Sequence, residues 1–428
     1  MAYAGMPPRG LAMPPAAPAT LALRERLLLM VLFLSALLSS IAFIEPSPHD
    51  ALMPVLATAC IIAGVRFDRR VTLLFLLLLL WNAGGLMSLL NVAGKEKTAQ
   101  YAATSVYLAL AAVMYACLFA EHTMQRLVVL RTAYVLTAVL VSLAGIAGYF
   151  HAFPGAAKLF APGGRALGAF KDPNVFGPFL IWPALIVLQR MLTRRIHLLD
   201  LITVTVLLLG LLLSFSRGAW IHFGISGAAM IALAFLTAQR QAVRLRIFAL
   251  SIIGFALLAG FIAIALSFHS VAVMFAERFH LFEPYDVGQG GRFRLQEIAI
   301  SALLQYPNGM GPFEFSIVHG LQQHNVYLQA FLVYGWAGGM AYIVLLGATF
   351  YVALRSVMVP TPWQSYLICS LAAFLGEVLE GFVIDTDHWR HFFLLLGLIW
   401  GLGAATVKYQ RASHAHMAGG QWTHVGAR

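Results

Sequence analysis

The sequence predicts an all-α, polytopic integral membrane protein of about 12 transmembrane helices, with one large loop that contains short helices. Three observations predict it. The chain is 61% hydrophobic and only 11% charged, whereas soluble domains carry roughly a quarter charged residues. Apolar runs of about 17–25 residues, the length that crosses a bilayer, recur along it. Basic residues also favour one side of the resulting map, as the topology of membrane proteins requires.

The runs fall at roughly 25–44, 50–65, 71–92, 99–120, 127–150, 173–192, 197–215, 218–237, 247–267, 325–354, 363–384 and 391–410. The second and seventh are short, which leaves eleven or thirteen spans open. With both ends cytoplasmic, the inner segments hold 18 of the 28 Lys+Arg, and 13 of the 17 Asp+Glu lie outside or in outer halves. The net charge of +11 therefore reads as topology and gives no argument for a nucleic-acid partner.

Taken in order, residues 1–23 are Pro/Ala-rich and read as a disordered cytoplasmic tail. No cleavable-looking signal peptide precedes the first span, which is expected to stay. Residues 24–410 read as a single membrane domain, and 411–428 as a second cytoplasmic tail. Cys60, Cys117 and Cys369 all fall inside apolar spans. They are expected as small buried hydrophobes with no disulfide framework.

The long hydrophilic insertion 269–324, between the ninth and tenth spans, lies on the outer face. It contains Arg278, His280, Glu283 and Asp286, then the turn Gly288-Gln289-Gly290-Gly291, then Arg292-Phe293-Arg294. Loops this long are functional or disordered. An amphipathic pattern, Ile298, Leu303 and Leu304 against Arg294, Glu297 and Gln305, favours order. Arg292 and Arg294 at a helix start would make an anion site; a solvated surface helix is the alternative. His324-Asn325 stands where the chain re-enters the membrane. It is either a hydrogen-bonding anchor or, beside several cations, a general base.

Three further outer motifs carry polar groups. In Gly164-Arg165 through Lys171-Asp172-Pro173-Asn174, Asp172 can cap the sixth span with Pro173 at its first position. Arg165 and Lys171 there oppose the helix dipole and want another reason. Ser214-Phe215-Ser216-Arg217-Gly218 joins two spans almost without a loop. Arg217 is either a snorkelling residue or, with Ser216, a phosphate ligand. Asp385-Thr386-Asp387-His388-Trp389-Arg390 follows Glu377 and Glu380, which share a helix face and should meet a polar cavity. Those two glutamates would bind a sugar or cation, or pair with outer arginines. The Asp-x-Asp-His run reads as a turn and cap before it reads as a metal site. No Walker loop, nucleophile elbow or zinc pattern occurs, which argues against a primary pump.

With these residues in view, the chain resembles the O-antigen ligase and polymerase superfamily of bacterial envelope glycan assembly. The resemblance rests on Gly168-Ala169-Phe170-Lys171-Asp172-Pro173-Asn174-Val175-Phe176-Gly177, on Ser214-Phe215-Ser216-Arg217-Gly218, and on His324-Asn325-Val326-Tyr327-Leu328-Gln329 followed by Tyr334-Gly335-Trp336-Ala337-Gly338. It covers roughly residues 150–345. It implies an inner-membrane glycosyltransferase working at the periplasmic face on an undecaprenyl-diphosphate-linked glycan, without a cofactor, a metal or a nucleotide sugar. The implied acceptor is lipid A-core or a growing glycan. Arg217 and Arg292 are implied to hold the diphosphate, with Arg294 or Arg278 as substitutes for Arg292 and with Arg165 and Ser216 beside them. His324 is implied to serve the acceptor hydroxyl. Asn325, Asn174, Lys171, Glu377, Glu380, Asp385, His388 and Arg390 are expected to meet the acceptor or to support the set. Phe293, Tyr306, Phe313 and Tyr327 would stack on sugar faces or simply pack. O-antigen ligation comes first among the implied activities and polymerisation second. Flipping of lipid-linked sugars is the reading from another class.

Overall fold

The computed structural model describes residues 23–90, 92, 96–278 and 291–422. Residues 1–22 of the expected first tail, His280, Glu283, Asp286 and the Gly288-Gln289-Gly290 turn lie outside the described residues, as does the Arg278 side chain. The described chain is all-α, with no strand among the described residues.

Every apolar run becomes helix. In order they are α1 (Leu23–Leu37), α2 (Pro48–Ala63), α3 (Thr72–Leu89), α4 (Glu96–Phe119) and α5 (Thr123–Tyr149). After the short α6 (Ala156–Phe160), α7 (Pro173–Phe179) and α8 (Ile181–Thr193) form one span. Then come α9 (Leu198–Leu213), α10 (Arg217–Thr237) and α11 (Gln241–Leu266). The long hydrophilic insertion contributes α12 (His269–Arg278), α13 (Arg292–Gln305) and α14 (Glu314–His319). The last three apolar helices are α15 (Val326–Val357), α16 (Gln364–Glu380) and α17 (Arg390–Trp422). The last of these runs on into the segment read as a tail.

Among the described residues, eight helices are long and apolar enough to cross a membrane, and Pro48–Ala63 and Leu198–Leu213 are shorter apolar helices. The protein is thus a multi-pass membrane protein.

Caps set the helix starts. Asp172 Oδ1 accepts from Asn174 N at 2.8 Å ahead of Pro173. Ser216 Oγ accepts from Ala219 N, and Asn325 Oδ1 accepts from Tyr327 N and Leu328 N. Each satisfies a backbone donor that a helix start leaves orphaned.

Small residues let the helices approach. A Cβ on Gly397 or Gly401 of α17 would lie 2.7 Å from carbonyls of Ala112 or Ala116 on α4, so the two backbones pack directly, as lipid-embedded helices do. Trp81 of α3 sits fully buried, with ring centroids 5.0 Å from Tyr334 and from Tyr342 of α15. In α11, by contrast, only Ile247 and Ala265 are buried, so it forms the outer edge of the bundle.

One break in the bundle positions the long hydrophilic insertion. α15 is interrupted at Gly335, whose φ of 67° and ψ of −177° belong to a region that only glycine occupies at low cost. The break frees backbone groups that a membrane cannot solvate. The chain at 307–310 takes them: Trp336 N donates to Pro307 O at 2.8 Å, and Met310 N donates to Leu332 O at 2.7 Å. A small second core of Leu295, Ala299, Ala302, Phe315 and Leu332 holds α13 and α14 there. The amphipathic reading of α13 is corrected in part: Leu295, Ala299 and Ala302 form its buried face, while Leu304 points outward.

Candidate active site

The end of α16 is the hub of the candidate site. A Cβ added to Gly218 would lie 2.6 Å from Glu380 Oε1, so the turn carrying Arg217 rests directly on the last residue of α16. One residue further, Gly381 O accepts from Val326 N at 2.8 Å, and Phe382 O accepts from Asn325 Nδ2 at 3.2 Å. The Arg217 turn and the His324 turn are therefore anchored on consecutive residues.

Arg165 joins two motifs that read separately in the sequence. Its Nε donates to Ser214 O at 2.9 Å and its terminal nitrogen donates to Asn174 Oδ1 at 2.9 Å. Next to it, Ala166 N donates to Leu213 O at 2.8 Å. The segment before α7 is thus laid against the turn before α10, the turn that leads into Arg217. Ser216 is buried and its oxygen caps α10, so it shapes this turn. Phe215, at φ 46°, makes the sharp reversal.

Arg292 opens α13 and is half-buried. Four residues on and on the same helix face, Gln296 reaches Gln323 O at 3.4 Å and Phe382 O at 3.3 Å. That face of α13 is turned toward the His324 turn. Arg294 is different. It forms an i,i+3 pair with Glu297 at 2.8 Å, with 61% of its side chain exposed, which places it on the solvated side.

His324 has a left-handed backbone, φ 46°, which turns its side chain away from the helix that Asn325 caps. Its Nδ1 lies 3.5 Å from Asp385 Oδ2; the imidazole is about half exposed (45%) and the carboxylate 22% exposed. A carboxylate on Nδ1 fixes the tautomer and leaves Nε2 to take a proton. Asp387 is buried, accepts a hydrogen bond from the Tyr101 hydroxyl, and lies 3.2 Å from His388 Nδ1. His388 Nε2 donates to Tyr101 O at 3.2 Å. Burial pushes the Asp385 carboxyl above the ordinary carboxylate range, with Asp387 adding to the rise against the pull of His324. Burial opposes charge on Asp387 too, but His388 and Tyr101 hold it below that range. His388 is raised, since Asp387 outweighs the burial that works against its charge. Adjacent carboxylates driven apart in this way are a mark of acid–base sites.

Other residues singled out by sequence have defined partners. Lys171 pairs with Glu45 at 2.9 Å on the surface. Arg390 clamps Asp50 of α2 with both ends of its guanidinium, at 2.8 and 2.6 Å, and Tyr107 donates to the same carboxylate. This is a tie between α17 and α2. Glu377 and Glu380 are buried against histidines, partners the sequence reading did not foresee. His222 Nδ1 lies 2.8 Å from Glu380 Oε2, and His391 Nε2 lies 3.4 Å from Glu377 Oε1. His222 Nε2 donates to Ala373 O at 2.9 Å. A carbonyl only accepts, so Nε2 carries a proton and the Nδ1–Oε2 contact holds one more. Phe313 packs edge-on against Tyr101, and Tyr327 lies tilted against Phe382 with ring centroids 4.4 Å apart, while Phe293 and Tyr306 are exposed.

Asp50, Tyr101, His222 and His391 are thus the polar residues that sequence reasoning missed. An ionisable group inside an apolar span was the available signal for His222.

A family model described as O-antigen ligase matches residues 202–343. The matched stretch contains Ser216, Arg217, Arg292, Arg294, His324 and Asn325; Arg165 and Asp385 lie outside it. No curated protein matches the chain. Over this stretch, a third of its length, the chain is similar to the O-antigen ligase family.

Proposed function

We propose that the protein transfers a glycan from an undecaprenyl-diphosphate carrier to an acceptor hydroxyl at the periplasmic face of the inner membrane, and that the acceptor is lipid A-core. The observation that carries this reading is the hub at the end of α16, which brings the Arg217 turn and the His324 turn to neighbouring residues.

In this mechanism Arg217, Arg165 and Arg292 hold the diphosphate. Guanidinium forks match its oxygens and offset the charge that grows as the bond to the sugar breaks. His324, oriented by Asp385, accepts the proton of the acceptor hydroxyl. The acceptor oxygen bonds to the sugar C1, the C1–O bond to phosphate breaks, and undecaprenyl diphosphate leaves with both electrons.

Loss of the gene tests the activity. Core-only lipopolysaccharide with carrier-linked polymer accumulating is expected. Single repeats on the core would move the reading to polymerisation, and repeat units trapped inside would move it to flipping.

The topology has its own test. Cys60, Cys117 and Cys369 are buried, so a Gly288→Cys variant is expected to be the main site labelled by an impermeant thiol reagent in outer-membrane-permeabilised cells. Protection of that cysteine would place the loop inside and overturn the periplasmic assignment.

Transfer is expected to continue in EDTA, since three arginines supply positive charge at the diphosphate. Activity lost in EDTA and restored by magnesium or manganese would instead make Asp385 and Asp387 candidate ligands.

A further inference from the structure

The end of the bundle away from Arg217 holds a polar cavity of its own. α10 runs from Arg217 to Thr237, so its two ends lie about 30 Å apart. At the Thr237 end, where α8, α10, α11 and α16 meet, about 250 Å³ of space is free. The lining is uncharged and rich in amides and hydroxyls, among them Gln189, Thr361 and Ser365. Two of these groups are unsatisfied. Gln189 is only 9% exposed, yet its amide has no hydrogen-bond partner among the described residues. Thr361 Oγ1 is buried and likewise without one. Buried polar groups left this way are rare, and a ligand or ordered water usually completes them.

Cations border the cavity. Arg244 follows the lining residue Val243, and its Nε donates to the carbonyl of another lining residue, Ala238, at 3.0 Å. Arg246 donates to Met191 O at 3.1 Å and to Arg194 O, at the end of α8. Both arginines thus cap helix C-termini. Neither has a carboxylate in ion-pair reach among the described residues, whereas Arg190 of α8 pairs with Asp200. The terminal nitrogens of Arg244 also lack a partner among the described residues, which leaves a fork for an anion. Topology accounts for arginines at this end of the bundle, but not for an uncharged, unsatisfied cavity among them.

Hydroxyls and amides beside a guanidinium fork fit a polyol that carries a phosphate. An ammonium headgroup fits badly, since no carboxylate lines the cavity to receive it. The site lies among the ends of membrane helices, where basic pockets take lipid headgroups. Exposed Leu236 and Leu245, next in sequence to Thr237 and Arg244, offer lipid chains an apolar surface. We propose that this cavity binds the phosphoglycerol headgroup of an anionic membrane lipid. Arg244 holds the phosphate, and Gln189, Thr361 and Ser365 meet the glycerol hydroxyls.

The test uses full-length protein purified from vesicles of equal parts phosphatidylglycerol and phosphatidylcholine, with the lipid retained on it quantified. Phosphatidylglycerol is expected to be enriched about tenfold over phosphatidylcholine. Arg244→Gln should remove most of that enrichment, and Arg244→Lys should restore part of it, since lysine keeps the charge without the fork. Thr361→Val breaks no side-chain hydrogen bond within the described residues, so it decides the matter even if Arg244→Gln fails to fold. It should lower the enrichment roughly two- to fivefold, the effect of one hydrogen bond. Equal retention of the two lipids by wild type, or enrichment unchanged in both Arg244→Gln and Thr361→Val, would overturn the proposal. Free glycerol phosphate should not raise the melting temperature of protein held in phosphatidylcholine alone. A rise there, without enrichment of phosphatidylglycerol, would assign the cavity to a soluble ligand and contradict the lipid assignment.

Discussion

Arg217→Lys is expected to lower glycan transfer by about 30-fold to several thousand-fold, the range for losing one charged hydrogen-bonding partner in a partly buried site. Lysine keeps the charge, so a site that needed only charge would tolerate it. The fork is what lysine lacks, and a diphosphate offers oxygens in pairs that a fork can bridge. The position sharpens the expectation. Arg217 opens α10 on a turn that is capped by Ser216, held by Arg165 through Ser214 O, and seated on Glu380. A side chain fixed this firmly at its base cannot re-aim a shorter ammonium. Binding of bare undecaprenyl diphosphate should weaken along with transfer. Wild-type transfer by the lysine variant would remove Arg217 from the diphosphate site.

His324→Ala should behave in the opposite way, with carrier binding near wild type and transfer reduced by about 10²–10⁴-fold, the span of general-base contributions. The proton that His324 accepts belongs to the acceptor, so the donor should not feel its loss. His324→Gln separates two roles, because glutamine can hold a hydroxyl in place but cannot take its proton. Asp385→Asn probes the support. The 3.5 Å contact to Nδ1 would remain as a polar neighbour, but an amide that can turn either its oxygen or its NH₂ to the ring would no longer fix the imidazole's orientation. Its effect should be smaller than that of His324→Ala and in the same direction. Equal transfer by wild type and His324→Ala, at matched membrane levels, would rule out this role.

Much of the fold was legible because spanning segments are written in composition. A helix in lipid needs a run of apolar residues whatever its neighbours are, and each of the apolar runs is helical. Local caps were legible for the same kind of reason. The Asp172-Pro173 start needs only adjacent residues, and it forms as read. The pairings around the candidate site were not legible, because their partners are far apart in sequence. Arg165 meets Ser214 across 49 positions, His222 meets Glu380 across 158, and Arg390 meets Asp50 across 340. Such pairings are set by how helices pack, and a one-dimensional charge pattern does not encode that. This is why Arg390 read as a site residue, although its guanidinium clamps α2 to α17. It is also why Arg292 and Arg294 looked interchangeable. Two residues apart on one helix, they face different surroundings, and only Arg292 shares a face with Gln296.

The most direct measurement uses purified protein in liposomes, given an undecaprenyl-diphosphate-linked glycan and lipid A-core with no nucleotide sugar present. Glycosylated lipid A-core, formed with one undecaprenyl diphosphate released per glycan transferred, is the predicted result. Intact carrier-linked glycan and unchanged lipid A-core after incubation with folded protein would contradict it.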